Sequence, residues 1–151
     1  MVSAGVSFEG KKSLHFVDEK AKVNADYYVN QLLPTLLDDC HQLLGQRFIF
    51  QHAAKVTQQW LAAHCPDFID KDCWPPNSPD INPLDYHVWG SMLEWFCLLN
   101  PRPKDIPELK SALMKIWNDL SQDEIRKSTA NFRNRLWACV NADGGHFKHL
   151  L

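Results

Sequence analysis

Residues 74–90 read WPPNSPDINPLDYHVWG, and the reading of the whole chain turns on them. Pro75, Pro76, Pro79 and Pro83 each fix a backbone φ angle, so the first part of the stretch is a stiff loop. The loop delivers a helix start. Asn82 has the side chain of an N-cap, Pro83 suits the first helical position, and Asp85 then falls at the third. A carboxylate there faces the positive end of the helix dipole. On this pattern alone, Asp85 is adequately explained as a helix-start acid.

Downstream of this start the chain reads as helix. Apolar spacing predicts helices over Pro83–Leu98, Ile106–Leu120 and Asp123–Val140. In the second, Leu109, Leu113, Ile116 and Leu120 make one stripe. In the third, Ile125, Phe132, Leu136 and Val140 do the same, with Arg126, Lys127, Arg133 and Arg135 on other faces. Upstream the pattern is mixed. Val2–Phe8 and Ser13–Val17 read as the strands of an antiparallel hairpin, turning at Glu9–Lys12. Asn24 caps a predicted helix from Ala25 to Leu44 that ends at Gly45, and Pro34 should kink or split it. Arg47–Gln51 is a buried-strand signal, followed at once by a helix over Ala53–Ala63, and Phe68-Ile69 is one more short strand. Strand-to-helix connections usually take about 2–6 residues, so the Gln51–Ala53 junction is abrupt. The pattern is α/β with a helical C-terminal half.

Composition bounds the function classes. The 151 residues suit one domain over 1–151, and 45% hydrophobic against 23% charged residues is ordinary for a folded protein. A net charge of −2 does not mark a nucleic-acid binder in bulk. The charge is unevenly spread, however. Residues 1–100 hold 7 Lys/Arg and 12 Asp/Glu, whereas residues 101–151 hold 9 and 6, so a polyanion contact belongs in the C-terminal third. The candidates there are Lys104, Lys110, Lys115, Arg126, Lys127, Arg133 and Arg135, with Trp137 either a stacking partner or part of the core. The five cysteines, at 40, 65, 73, 97 and 139, contain no C-x-x-C pair and read as reduced thiols of an intracellular protein. His64, Cys65 and Cys73 match no familiar zinc spacing. No run approaches the ~20 apolar residues of a membrane span, and the N-terminus has no signal-peptide pattern.

WPPNSPDINPLDYHVWG also resembles the third catalytic block of mariner-type transposases, in which S-P-D-x-x-P-x-[D/E] carries the last acid of a DDE/D triad. The hairpin MVSAGVSFEGKKSLHFVD, the helix KVNADYYVNQLLPTLL, the strand RFIFQ and the end NADGGHFKHLL resemble further parts of the same domain, so the resemblance covers essentially the whole chain. It implies an RNase H-like mixed sheet flanked by helices. It implies that Asp85 is the third metal-binding acid, with Trp74, Asp80, Asn82 and Pro83 shaping the loop before it. In intact relatives three carboxylates hold paired Mg²⁺ or Mn²⁺ ions for in-line phosphodiester displacement.

Two departures from the family pattern bear on that chemistry. Relatives place their first acid on a strand ahead of the opening hairpin, and this sequence begins at the hairpin, so the expected sheet is incomplete, with its first strand absent. Relatives also follow F-x-F-Q with a loop of the form Q-D-x-A-P-x-H. Here Phe50-Gln51 runs into His52-Ala53-Ala54-Lys55, and the second acid is gone with about six residues of the loop. The helix-turn-helix modules that read transposon ends in relatives have no counterpart in this sequence either.

The expectation is therefore a degenerate transposase domain with Asp85 as a vestigial acid, no tightly held metal and no strand transfer. It would bind DNA weakly and without sequence preference, in the nucleus. The alternatives are a protein-interaction module, dimerising with itself or with an intact transposase and inhibiting it through aromatics near Trp89, Trp95, Phe96 and Trp117, most of which read better as core, or a relic without function.

Overall fold

The computed structural model describes residues 2–17, 24–51, 55–65, 67–70, 72–73, 79–143, 145 and 147. The chain divides into two compact units: Met1–Ala4 with His15–Pro76, and Gly5–Leu14 with Asn77–Leu151.

The first unit contains the paired strands. β1 (Val2–Ser3) runs antiparallel to β2 (His15–Phe16), so the hairpin forms, but its strands are shorter than their alternation suggests. His15 Nε2 and Asp39 Oδ2 lie 2.6 Å apart, which ties β2 to the long helix that follows. That helix is interrupted. Asn24 caps it, its Oδ1 accepting the Tyr27 N–H at 2.8 Å, and α1 (Ala25–Tyr27) passes through a π-helical turn (Tyr28–Leu32) into α2 (Leu33–Leu44). Pro34 explains the interruption. It has no N–H to donate, and its ring crowds the carbonyl four residues back, on Asn30. The wider turn lets the Leu33 N–H reach Tyr28 O instead, and α2 begins afresh with proline in its first turn, where no N–H is needed. The expected split is thus a π-turn. α2 ends at Gly45, whose φ of +68° is costly for other residues.

β3 (Phe50–Gln51) and β4 (Phe68–Ile69) pair in parallel, Phe50 opposite Phe68, with α3 (Lys55–His64) as the crossover that parallel strands require. The Gln58 amide donates to Ile69 O at 3.1 Å, fastening α3 to the end of β4. Leu33, Leu37, Phe48, Leu61 and Cys65 form the buried cluster, edged by Tyr28, Cys40, Leu44, Phe50, Trp60 and Phe68. Burial pushes the Cys40 thiol up to about 11, with Asp39 and Cys65 adding to the effect. The abrupt junction read at residues 52–53 lies outside the described residues.

The second unit is helical. After a π-helical turn (Leu84–Val88) come α4 (Trp89–Cys97), α5 (Ile106–Asp119) and α6 (Gln122–Asn141). The caps are local and match the sequence. Asp105 Oδ1 accepts the Glu108 N–H at 2.8 Å to start α5, and Ser121 Oγ accepts the Asp123 N–H at 3.2 Å to start α6. The arm Gly5–Leu14 belongs to this unit. It turns at Ser7–Gly10, earlier than expected, and bridges Val6 to Lys11. The Lys11 ammonium donates to Asn118 O and Leu120 O, filling carbonyls left open at the end of α5. Trp117 is 1% exposed and donates its indole N–H to Lys12 O at 2.6 Å.

One apolar position departs from the sequence reading: Val140 is 59% exposed and leaves the stripe. Trp117 is buried, the core role read for most of its aromatic group, and Trp137, 59% exposed, takes the surface place of its two alternatives. The buried face of α6 is completed by Ser128, Ala138 and Cys139, whose small side chains carry little hydrophobic signal. Among the described residues no helix is long and apolar enough to cross a membrane.

Candidate nucleic-acid interface

Of the decisive stretch, residues 79–90 are described, and Trp74 lies outside them. The Asn82 N–H reaches Pro79 O at 3.1 Å, closing a turn. Asn82 then caps the helix as its sequence position requires. Its Oδ1 accepts the Leu84 N–H at 3.1 Å, and its carbonyl accepts from the N–H groups of Asp85 and Tyr86. Pro83 sits in the first turn, and Ile81 beside it is fully buried. Asp85 is presented at the third position with its side chain exposed.

α6 holds this start in place. Arg135 donates from Nη1 to Asp80 O at 2.9 Å and lies 3.9 Å over the Tyr86 ring. The Tyr86 hydroxyl donates to Ser128 O, one helix turn from Asn131. Burial raises the Tyr86 hydroxyl above its usual range, and the Arg135 charge pulls it partly back.

The seven basic candidates therefore differ. Arg135 is half-buried and committed to the Asp80 loop and Tyr86. Arg126 is exposed, but its Nε donates to Phe8 O at 3.4 Å, with Asp123 3.8 Å away. Lys110 is half-buried and makes interactions of its own. Lys104, Lys115, Lys127 and Arg133 are exposed. Trp137 on the same helix is exposed as well.

One feature escaped the sequence reading. A groove of about 280 Å³ is lined by Tyr86, His87, Glu124, Lys127, Ser128, Asn131 and Arg135. Its α6 members recur at spacings of three and four residues, so they share a helix face. That spacing was visible in the sequence. The apposition of Tyr86 and His87, about forty residues earlier in the chain, was not.

No protein-family model matches the chain. Its sequence is similar to that of the Tc3 transposase of Caenorhabditis elegans, 22% identical over 144 residues, with 91% of this chain aligned to 43% of that protein. The crystal structure of the Mos1 mariner transposase catalytic domain superposes on 97% of the chain with a TM-score of 0.76 at 21% identity, covering 75% of that domain. The chain has the mariner transposase catalytic-domain fold. The Mos1 paired-end complex with its left transposon end gives a TM-score of 0.77 at 21% identity, over 97% of this chain and 44% of that one. The chain thus spans somewhat less than half the length of these transposases.

Mos1 catalytic domains have been solved with Mg and with Mn, so the fit of such ions to the mariner-type fold seen here can be tested on its donors. Hard cations need several oxygen ligands converging on one point. Among the described residues, no three His, Cys, Asp or Glu side chains come together. The Asp85 side chain has no hydrogen-bond or ion-pair partner among them. The described donor set does not fit a two-metal centre.

Proposed function

We propose that this chain is a degenerate, transposase-derived domain that has lost DNA cleavage and strand transfer and keeps weak, sequence-independent DNA binding, acting in the nucleus as one partial RNase H-like domain over residues 1–151. The observation that carries the loss of chemistry is the passage from β3 to α3. β3 ends at Gln51, α3 begins at Lys55, and the residues between are His52, Ala53 and Ala54, without a carboxylate. An acid just past this strand is what the mariner-type pattern requires to hold a second metal ligand beside Asp85. Without it, Asp85 lacks the neighbouring carboxylate needed to hold paired divalent ions against substrate phosphates.

DNA binding is supported by the excess of Lys and Arg after residue 100 and by the exposure of Lys104, Lys115, Lys127 and Arg133. Contacts of this kind recognise phosphates and carry no sequence information. The test is fluorescence anisotropy of the full chain against a labelled duplex of about 30 base pairs, at low and moderate salt. Saturable binding that weakens tenfold or more with salt is expected. Asp85→Ala should leave it unchanged with or without Mg²⁺. A folded protein that takes no DNA at low salt overturns the reading, and so does Mg²⁺-dependent nicking abolished by Asp85→Ala.

An interaction role, pairing with itself or with an intact transposase, is favoured by one observation. Trp95 is 48% and Leu98 82% exposed on and just after α4. Self-association that ignores salt would select it.

A further inference from the structure

The groove beside Asp85 differs from a generally basic helix surface in having an inner wall. Tyr86 and His87 form one side, and Lys127, Asn131 and Arg135 approach from α6 on the other. Arg135 spends Nη1 on Asp80 O and its face on Tyr86, yet its Nε is buried and has no acceptor among the described residues. Lys127 is exposed at the rim, and Asn131 is half-buried between the two cations. Positive charge and donors therefore dominate: the Lys127 ammonium, the Asn131 carboxamide and the His87 imidazole, with the Arg135 guanidinium charge behind them. Glu124 is the one carboxylate in the lining. At about 280 Å³ the groove lies near the small end of ligand pockets, suited to one phosphate and part of its sugar rather than to a whole cofactor.

We propose that this groove is a phosphodiester site, which seats one backbone phosphate of a nucleic-acid strand beside the Asp85 helix start. Lys127 and Asn131 donate to its non-bridging oxygens, and Arg135 supplies the fixed positive charge at the inner wall. His87 donates from the opposite side. Glu124 opposes binding and keeps it weak. The proposal rests on the nucleic-acid reading and sharpens it, because binding then concentrates at one point instead of spreading evenly over the seven basic positions. It also adds His87 and Asn131 to the interface and makes Arg135 a positioning residue rather than a surface contact.

The test compares single variants of the full chain by anisotropy, with a parallel NMR titration of inorganic phosphate. Lys127→Ala and Asn131→Ala should each weaken DNA binding about tenfold, and Lys127→Ala should lower the salt slope by about one. Lys115→Ala, outside the groove lining, should weaken it only about two- to threefold. Glu124→Gln should tighten binding, an effect that no loss of folding can mimic. Millimolar phosphate should shift the side-chain signals of His87 and Asn131. DNA binding that is equally sensitive to Lys115 and Lys127, and unmoved by Glu124→Gln, would overturn the groove while leaving the nucleic-acid reading intact. Phosphate shifts at His87 and Asn131 in a protein that takes no DNA would retain the anion site and sink the nucleic-acid reading. Absence of both overturns both.

Discussion

Two helices in this molecule begin in the same way and end up with different jobs. One starts at Asn24 and the other at Asn82; each asparagine side chain accepts a first-turn N–H, and each start leads into a π-helical turn. Each also carries an aspartate in its first turn, Asp26 and Asp85. Asp26 is partnered within its own helix, by the Asn30 amide at 2.8 Å. The Asp85 side chain, exposed like that of Asp26, has no partner among the described residues, although the loop behind it is pinned by Arg135 and the turn after it by Tyr86. The lesson is that the same kind of start makes a structural acid in one place and a presented acid in the other. The difference is local: Asn30, four residues on, donates to Asp26, whereas Trp89 holds that place after Asp85.

The largest contrast between the two units should be chemical. Cys40 lies on α2 and packs against the first unit's buried cluster, its thiol pushed up to about 11, whereas Cys97 is exposed at the end of α4 in the second. The thiolate is the reacting form, so at pH 8 Cys40 should alkylate about a hundredfold more slowly than Cys97, as read by mass spectrometry after iodoacetamide. The sign follows from the raised value. Folding favours the neutral thiol, so its stabilising contribution is complete at neutral pH and is lost as pH climbs from the usual thiol range towards 11. Equal alkylation rates would mean that the face of α2 carrying Cys40 is not packed against the first core.

Next in size are the side chains behind each start. Leu33→Ala, in the first core, should cost about 2–5 kcal/mol, and Trp117→Ala, in the second unit, about 3–5 kcal/mol. Urea melts followed by hydrogen exchange would show which helices lose protection in each case. Loss of α2 and α3 protection from Trp117→Ala alone, with α5 and α6 retained, would break the division into units.

The caps themselves are worth less. Asn24→Ala and Asn82→Ala should each cost about 0.5–2 kcal/mol, since each leaves a first-turn N–H without its acceptor. The acids should differ least but most tellingly. Asn30→Ala should cost about 0.2–0.5 kcal/mol by freeing Asp26, whereas Asp85→Ala should move the urea midpoint hardly at all. A clear stability loss from Asp85→Ala would make it a structural acid like Asp26 and remove the contrast.

The sequence by itself determined what depends on neighbours along the chain. Asn24, Asn82 and Gly45 marked helix ends because capping is decided within a few residues, and Pro34 marked an interruption because proline's missing N–H and its ring act on the same helix. The mariner-type stretch placed Asp85 at its helix start, and Phe50-Gln51 and Phe68-Ile69 were legible as strands. Only the tertiary structure decided what each stretch meets. It paired β3 with β4, buried Trp117, left Trp137 exposed, turned Arg135 inward onto Tyr86, and brought His87 to Lys127 and Asn131. These outcomes follow from packing between segments far apart in sequence, where the same arginine or tryptophan serves as a surface contact or a support according to what lies opposite it.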